Sequence, residues 1–251
     1  MQNNVYTFQF FSESTEYEYT IHVYVPEMTP PKAGFPIIYV LDGQSYFEFA
    51  KQAIKLQSQN TPKTKIEPSI VVGICHNEED MRQRRFFEFT APAEQYIFPE
   101  HAKGKKMDLG RNGGAPLFQK FIEDELKPII ENKFAVNKNK QTLYGHSLAG
   151  YYTIWCYLTH CYDFQTYIAI SPSIWWNGKE LHQYLKKANP LDLQRLYIAV
   201  GALEGFMVED AKIFYKELPD LPKTLHIALE ENHASVVPAT ISRSFRFINE
   251  E

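Results

Sequence analysis

The chain is 251 residues long, 44% hydrophobic and 22% charged, with a formal net charge of −4 at pH 7. That composition is globular, and an acidic balance with no extended basic stripe disfavours nucleic-acid binding through phosphate neutralisation. No run approaches the ~18 apolar residues of a membrane span. The opening MQNNVYTFQFF lacks the basic n-region and long apolar h-region of a secretory leader, so a cytoplasmic protein is expected.

In chain order, short apolar runs at residues 19–25, 35–41 and 69–75 read as strands, several of them β-branched throughout. The next segment, residues 77–115, is polar, rich in Gly and Pro, and carries Arg82, Arg84, Arg85, Lys103, Lys105, Lys106 and Arg111. A connection of that length inside a compact domain is usually functional or disordered, and a lid or rim over a site is expected there. Residues 117–134 follow as a helix, with Phe118, Phe121, Ile122, Leu126, Ile129 and Ile130 on one stripe and Pro128 in conflict with it. Strands at 141–144, 166–170, 196–200 and 224–230 alternate with further helices, clearest at 208–218 and 236–248. This alternation predicts a single α/β domain over residues 1–251: a mostly parallel central sheet with helices on both faces. Cys75, Cys156 and Cys161 are odd in number and not in a metal-type spacing, so reduced thiols are expected and no metal or cofactor is called for.

The strand at 141–144 runs into Gly145-His146-Ser147-Leu148-Ala149, and a helix pattern follows. That is close to the nucleophile elbow G-x-S-x-G, in which a serine on a tight strand-to-helix turn exposes Oγ at the sheet's edge. The Leu148 amide would lie at the helix N-terminus, where unpaired N–H groups and the dipole favour a developing oxyanion. A serine hydroxyl needs a base, and for this arrangement the order should be Ser, acid, His. Glu204 lies just beyond the 196–200 strand, and His233 lies between the last strand and the last helix. Glu209 or Asp210 could orient the imidazole instead, or a Ser–His dyad could suffice. His146 is expected to pack under the elbow. The second oxyanion donor should come from the loop DGQSYF after the 35–41 strand; Gly43 permits close backbone approach, which makes the Gln44 amide the candidate.

Together, YVLDGQSYF, RRFFEFTAP, KQTLYGHSLAG, ISPSIWW, VGALE and ENHASVVP resemble the putative-esterase family of α/β-hydrolases. Within it the chain is most similar to bacterial siderophore esterases that open the trilactone of bacillibactin or enterobactin. The resemblance runs from about Thr20 to Ile248. It implies Ser147 as nucleophile, His233 as base, Glu204 as acid, and the Gln44 and Leu148 amides as the oxyanion hole. It also implies Arg85 facing an anionic substrate and Trp175 and Trp176 walling the pocket. Ala149 departs from the family, which usually has glycine there.

The function expected is therefore a serine esterase acting through an acyl-enzyme on a small-molecule ester, in the narrower form a ferric catecholate siderophore. One alternative is a general carboxylesterase or thioesterase of S-formylglutathione or feruloyl type. The other, from a different class, is a non-catalytic hydrolase-like binder of an anionic aromatic ligand. The sequence sets no oligomeric state.

Overall fold

The computed structural model describes residues 4–98 and 110–250. A hairpin of β1 (Val5–Ser12) and β2 (Tyr17–Tyr24) precedes β3 (Phe35–Leu41), α1 (Gly43–Gln57), the short α2 (Thr61–Thr64) and β4 (Ile70–Cys75). Next come α3 (Met81–Glu88), α4 (Ala115–Lys120), a π-helical segment (Phe121–Leu126) and α5 (Lys127–Lys133). β5 (Val136–His146) leads into α6 (Leu148–Thr159), then β6 (Thr166–Ile170), α7 (Trp176–Lys179) and α8 (Leu181–Lys187). The chain closes with β7 (Arg195–Gly201), α9 (Phe206–Glu217), β8 (Lys223–Ala228) and α10 (Val236–Phe247). Among the described residues no helix is long and apolar enough to cross a membrane.

All eight strands join one sheet in the order β1-β2-β4-β3-β5-β6-β7-β8. β2 pairs antiparallel with β1 and β4, and the other pairings are parallel. β3, β4 and β6 are buried at every position, as their unbroken apolar sequences require of strands covered on both faces. α1 and α10 cover one face through Phe47, Ile54, Val237 and Phe245. α4, α6, α8 and α9 cover the other through Phe118, Tyr152, Leu181 and Phe214. This is the mostly parallel sheet with helices on both faces that the alternating pattern predicts, and the α/β-hydrolase type of architecture that the resemblance implies. From β3 the chain moves to β4 on one side and to β5 on the other, so the strand order reverses between β3 and β5. In open α/β sheets ligands bind in the crevice beyond the carboxyl ends of the strands at such a reversal.

Three local outcomes differ from the sequence reading. β1 is an additional strand; it sits at the sheet's edge with half its side chains exposed, so no apolar run marks it. The helix carrying Pro128 is not interrupted. It widens to π geometry, with the Lys127 N–H donating to the Ile122 carbonyl five residues back, before α5 starts with Pro128 in its first turn. The extra residue in the turn rotates the following stripe, leaving Ile129 at 41% exposure while Phe118, Phe121, Ile122, Leu126 and Ile130 stay buried. Finally, part of the 77–115 segment is ordered architecture and not rim: α3 buries Phe87 and Glu88, and Phe89 and Ala91 follow them into the core. Lys103, Lys105 and Lys106 lie outside the described residues.

Candidate active site

Ser147 joins β5 to α6 with φ 61 and ψ −117, a region that costs a residue with a Cβ on the order of 1–3 kcal/mol. The surroundings hold it there. Its N–H donates to the Ile170 carbonyl (2.9 Å), and its own carbonyl accepts from the Tyr151 (2.9 Å) and Ser173 (3.0 Å) N–H groups. Gly145 is required at the elbow, because a Cβ on it would lie 2.3 Å from the Ala149 carbonyl oxygen. The departure at Ala149 is absorbed, since its methyl is fully buried while the serine keeps its turn.

His233 reaches the elbow from the loop between β8 and α10. The Asn232 side chain shapes that loop by accepting from the Ala234 N–H (2.9 Å) and the Ser235 N–H (3.3 Å), an Asx-type turn. His233 Nε2 is 3.0 Å from Ser147 Oγ, and Nδ1 is 2.6 Å from Glu204 Oε2. The Glu204 side chain is only 1% exposed. Burial alone would push its pKa up, but hydrogen bonds from His233, from Ser171 Oγ (2.5 Å) and from the Gly201 N–H (2.6 Å) outweigh burial and hold it below the usual carboxylate range. Glu209 and Asp210, the other carboxylates considered, are paired with Lys212 and Lys179.

His146 packs beneath this relay as expected. It is buried, its ring lies 4.6 Å from that of His233, and its Nδ1 is 2.8 Å from the Tyr46 hydroxyl. Burial, reinforced by the charge of His233, lowers its pKa to about 3, so His146 is neutral around pH 7. Leu148 is the first residue of α6 and Gln44 the second of α1, so both amides belong to helix starts whose N–H groups have no partner inside their own helix. Gly43 is needed beside Gln44, because a Cβ there would meet the Gly73 backbone at 2.7 Å.

Gln44, His146, Ser147 and His233 face one cleft of about 230 Å³ at the β3/β5 reversal, lined also by Asp42, Ser45, Tyr46, Met81 and Arg85. Arg85 is on this cleft, but its Nε donates to Asp42 Oδ1 at 2.8 Å. Neighbouring Arg84 is built into the fold: it pairs with buried Glu88 and stacks on Tyr17. The expectation that Trp175 and Trp176 wall this pocket is corrected. Trp176 is 1% exposed, packed among Phe86, Tyr96 and Phe98, and belongs to the core. Trp175 lines a separate, more apolar cleft with Ile97, Phe98 and Phe206. Sequence reasoning missed Asp42, Tyr46, Met81 and Ser171. Tyr46 and Ser171 stand inside DGQSYF and ISPSIWW, but only the three-dimensional placement gives them partners. Among the described residues no group of His, Cys, Asp and Glu could hold a metal ion.

Comparison with known proteins places the chain among esterases. The chain is 36% identical to the ferri-bacillibactin esterase BesA of Bacillus subtilis (strain 168) over 247 residues, covering 91% of this chain and 84% of that one. It is 28% identical to the apo-salmochelin esterase of Escherichia coli O6:H1 over 195 residues, 74% of this chain and 56% of that one. In three dimensions it superposes on the crystal structure of the BES protein from Bacillus cereus with a TM-score of 0.88 and 34% identity, over 100% of this chain and 97% of that one. The model of the family described as "Putative esterase" matches residues 12–240, and the chain belongs to that family.

Proposed function

We propose that this protein is a serine esterase that hydrolyses the trilactone of a catecholate siderophore. The observation that carries the ester chemistry is the hydrogen-bonded series Ser147, His233, Glu204, opening onto a cleft at the sheet's reversal. The likeness to a ferri-bacillibactin esterase over most of the chain supports the substrate class. The size of the cleft adds a constraint. At about 230 Å³ it is below the ~300–1,000 Å³ of a site that encloses a drug-sized ligand. One ester linkage enters, and the rest of the macrocycle lies over the rim.

In this reading His233 Nε2 takes the Ser147 proton as Oγ attacks the ester carbonyl. The oxygen becomes an oxyanion facing the Leu148 and Gln44 amides. Glu204, held ionised, stabilises the imidazolium and fixes its Nδ1–H. The tetrahedral species collapses, the alcohol leaves with the proton from His233, and the acyl group stays on Oγ. Water then attacks, gives a proton to His233, and releases the acid and free Ser147. Arg85, oriented by Asp42, places a cation beside an anionic substrate. Acting inside the cell, the reaction linearises the ligand and frees its iron.

A chromatographic time course with ferric and iron-free catecholate trilactones, set beside simple aryl esters, tests the assignment. Linearised products with Ser147-dependent kinetics are expected. Intact trilactones alongside rapid aryl ester cleavage would reduce the reading to a general carboxylesterase. Failure of a fluorophosphonate to label folded protein would leave only a binder.

A further inference from the structure

A carboxylate withdrawn from water needs donors on its oxygens to stay charged, and the two oxygens of Glu204 are served differently. Oε2 meets His233 Nδ1. Oε1 takes two donors, the Gly201 N–H at 2.6 Å and the Ser171 hydroxyl at 2.5 Å. Ser171 is the residue directly after β6 and is fully buried. Its φ is 41, in the left-handed region where glycine is favoured and a Cβ is a liability. The backbone therefore gives no reason for a serine here. Its N–H, which donates to the Ala199 carbonyl at 2.6 Å, would be supplied by any residue but proline. What serine alone brings is the hydroxyl, and the hydroxyl is spent on Glu204.

We infer that Ser171 is a positioning residue for ester hydrolysis: its hydroxyl, with the Gly201 amide, pins Glu204 Oε1 so that only Oε2 faces the imidazole of His233. A carboxylate held at one oxygen cannot rotate to offer the other. The Nδ1–H is thereby fixed on the Glu204 side, and Nε2 presents its lone pair to Ser147 Oγ at 3.0 Å. Without the hydroxyl, Oε1 keeps one donor, the carboxylate swings, and more of its charge falls on the bond to His233. Fewer molecules then hold Nε2 in line, so kcat falls. The imidazolium is also better stabilised, so the acidic limb of the rate profile moves to higher pH. Asp42, Tyr46 and Arg85 line the cleft with His233 and are the same in every variant; the titratable ring packed against His233 is His146, from the end of β5. It stays neutral in this range and does not move the limb.

The inference rests on Glu204 being the acid of the proposed series, and the test separates the two. Ser171→Ala and Ser171→Gly are assayed on a neutral aryl ester with Glu204→Gln in parallel, kcat and KM being followed from about pH 5 to 9. Proton NMR records the low-field Nδ1–H resonance of His233. Both Ser171 variants are expected to lose about tenfold in kcat, with KM within about twofold, the order that one hydrogen bond to a charged group commands. Their acidic limb moves upward and the low-field resonance shifts. Ser171→Gly relieves the backbone, so its loss of activity cannot be charged to misfolding. Wild-type kcat in Ser171→Gly, or a slow variant with limb and resonance unmoved, overturns the inference. Slow Glu204→Gln beside unimpaired Ser171 variants overturns it alone; full activity in Glu204→Gln overturns the acid assignment as well.

Discussion

His233 and His76 each meet a glutamate at 2.6 Å, Glu204 in the first case and Glu88 in the second. His233 is 45% exposed, and its other nitrogen faces Ser147 across the mouth of a cleft. His76 and Glu88 are both fully buried, and His76 Nδ1 meets no partner among the described residues. Glu88 also takes the Tyr19 hydroxyl at 2.6 Å and the Arg84 guanidinium. The same residue pair at the same distance is thus the proposed relay in one place and a buried clamp in the other. What differs is where the second imidazole nitrogen leads: to a hydroxyl with solvent and space beyond it, or into the packed interior.

The comparison is sharpest at Ser147. Ser147→Ala removes the proposed nucleophile and leaves both His–Glu pairs in place, so turnover should fall on the order of 10⁵-fold or more while the fold survives. Substrate-saturation kinetics with burst titration check it, and residual activity within about a hundredfold of wild type would break the relay reading. Glu204→Gln should come next. The amide supports the wrong imidazole tautomer and cannot stabilise the imidazolium, so kcat should drop by roughly 10²–10⁴ with KM little changed. An unchanged kcat would mean that Ser147 and His233 suffice as a dyad.

His146 sharpens the comparison through pH. It is pressed between the elbow and His233, with Tyr46, Glu204 and Arg85 as its other polar neighbours. Its pKa is about 3 in the fold against an ordinary value of 6.5, chiefly because of burial. Between those values the unfolded chain binds a proton that the folded chain refuses. Stability must therefore fall as pH falls from about 6.5 towards 3, and it is unaffected by this group above 6.5. The full window amounts to something on the order of 5 kcal/mol. His146→Asn, which cannot take up the proton, should flatten the dependence of urea-unfolding free energy on pH across that window. An unaltered slope would mean that other groups carry the acid sensitivity.

How much of this was legible beforehand divides along physical lines. The strands around the site announce themselves because burial on both faces demands unbroken apolar runs, as in Phe35–Leu41 and Thr166–Ile170. β1 does not, because at the sheet's edge half its side chains are exposed and Thr7 and Gln9 break up its apolar residues. Ser147, Glu204 and His233 could be placed because each falls on a loop at a strand's carboxyl end, where their order constrains them. Trp176 was misplaced because a tryptophan in a motif looks the same whether it lines a pocket or fills a core, and only its neighbours Phe86, Tyr96 and Phe98 decide. The Asp42–Arg85 and Ser171–Glu204 contacts join residues far apart in the chain with no spacing rule to link them.

The smallest expected effect lies at the clamp, and it decides whether the two His–Glu pairs are independent. Glu88 closes α3, and α3 also carries Met81 and Arg85, which line the cleft. Glu88→Gln keeps the shape but sets an uncharged amide among His76, Tyr19 and Arg84, leaving a half-buried guanidinium without its counter-ion. Removing one partner of such a pair should cost about 3 kcal/mol, a fall in melting temperature of roughly 6–12 °C for a chain of this size. If the clamp serves architecture alone, kcat and KM on a neutral aryl ester should stay within about twofold of wild type at a temperature where the variant remains folded. A wild-type melting temperature would mean that the charge on Glu88 contributes nothing. A large rise in KM with no loss of stability would mean that the clamp instead sets the angle at which α3 presents Arg85 to the cleft, joining the two pairs into one site.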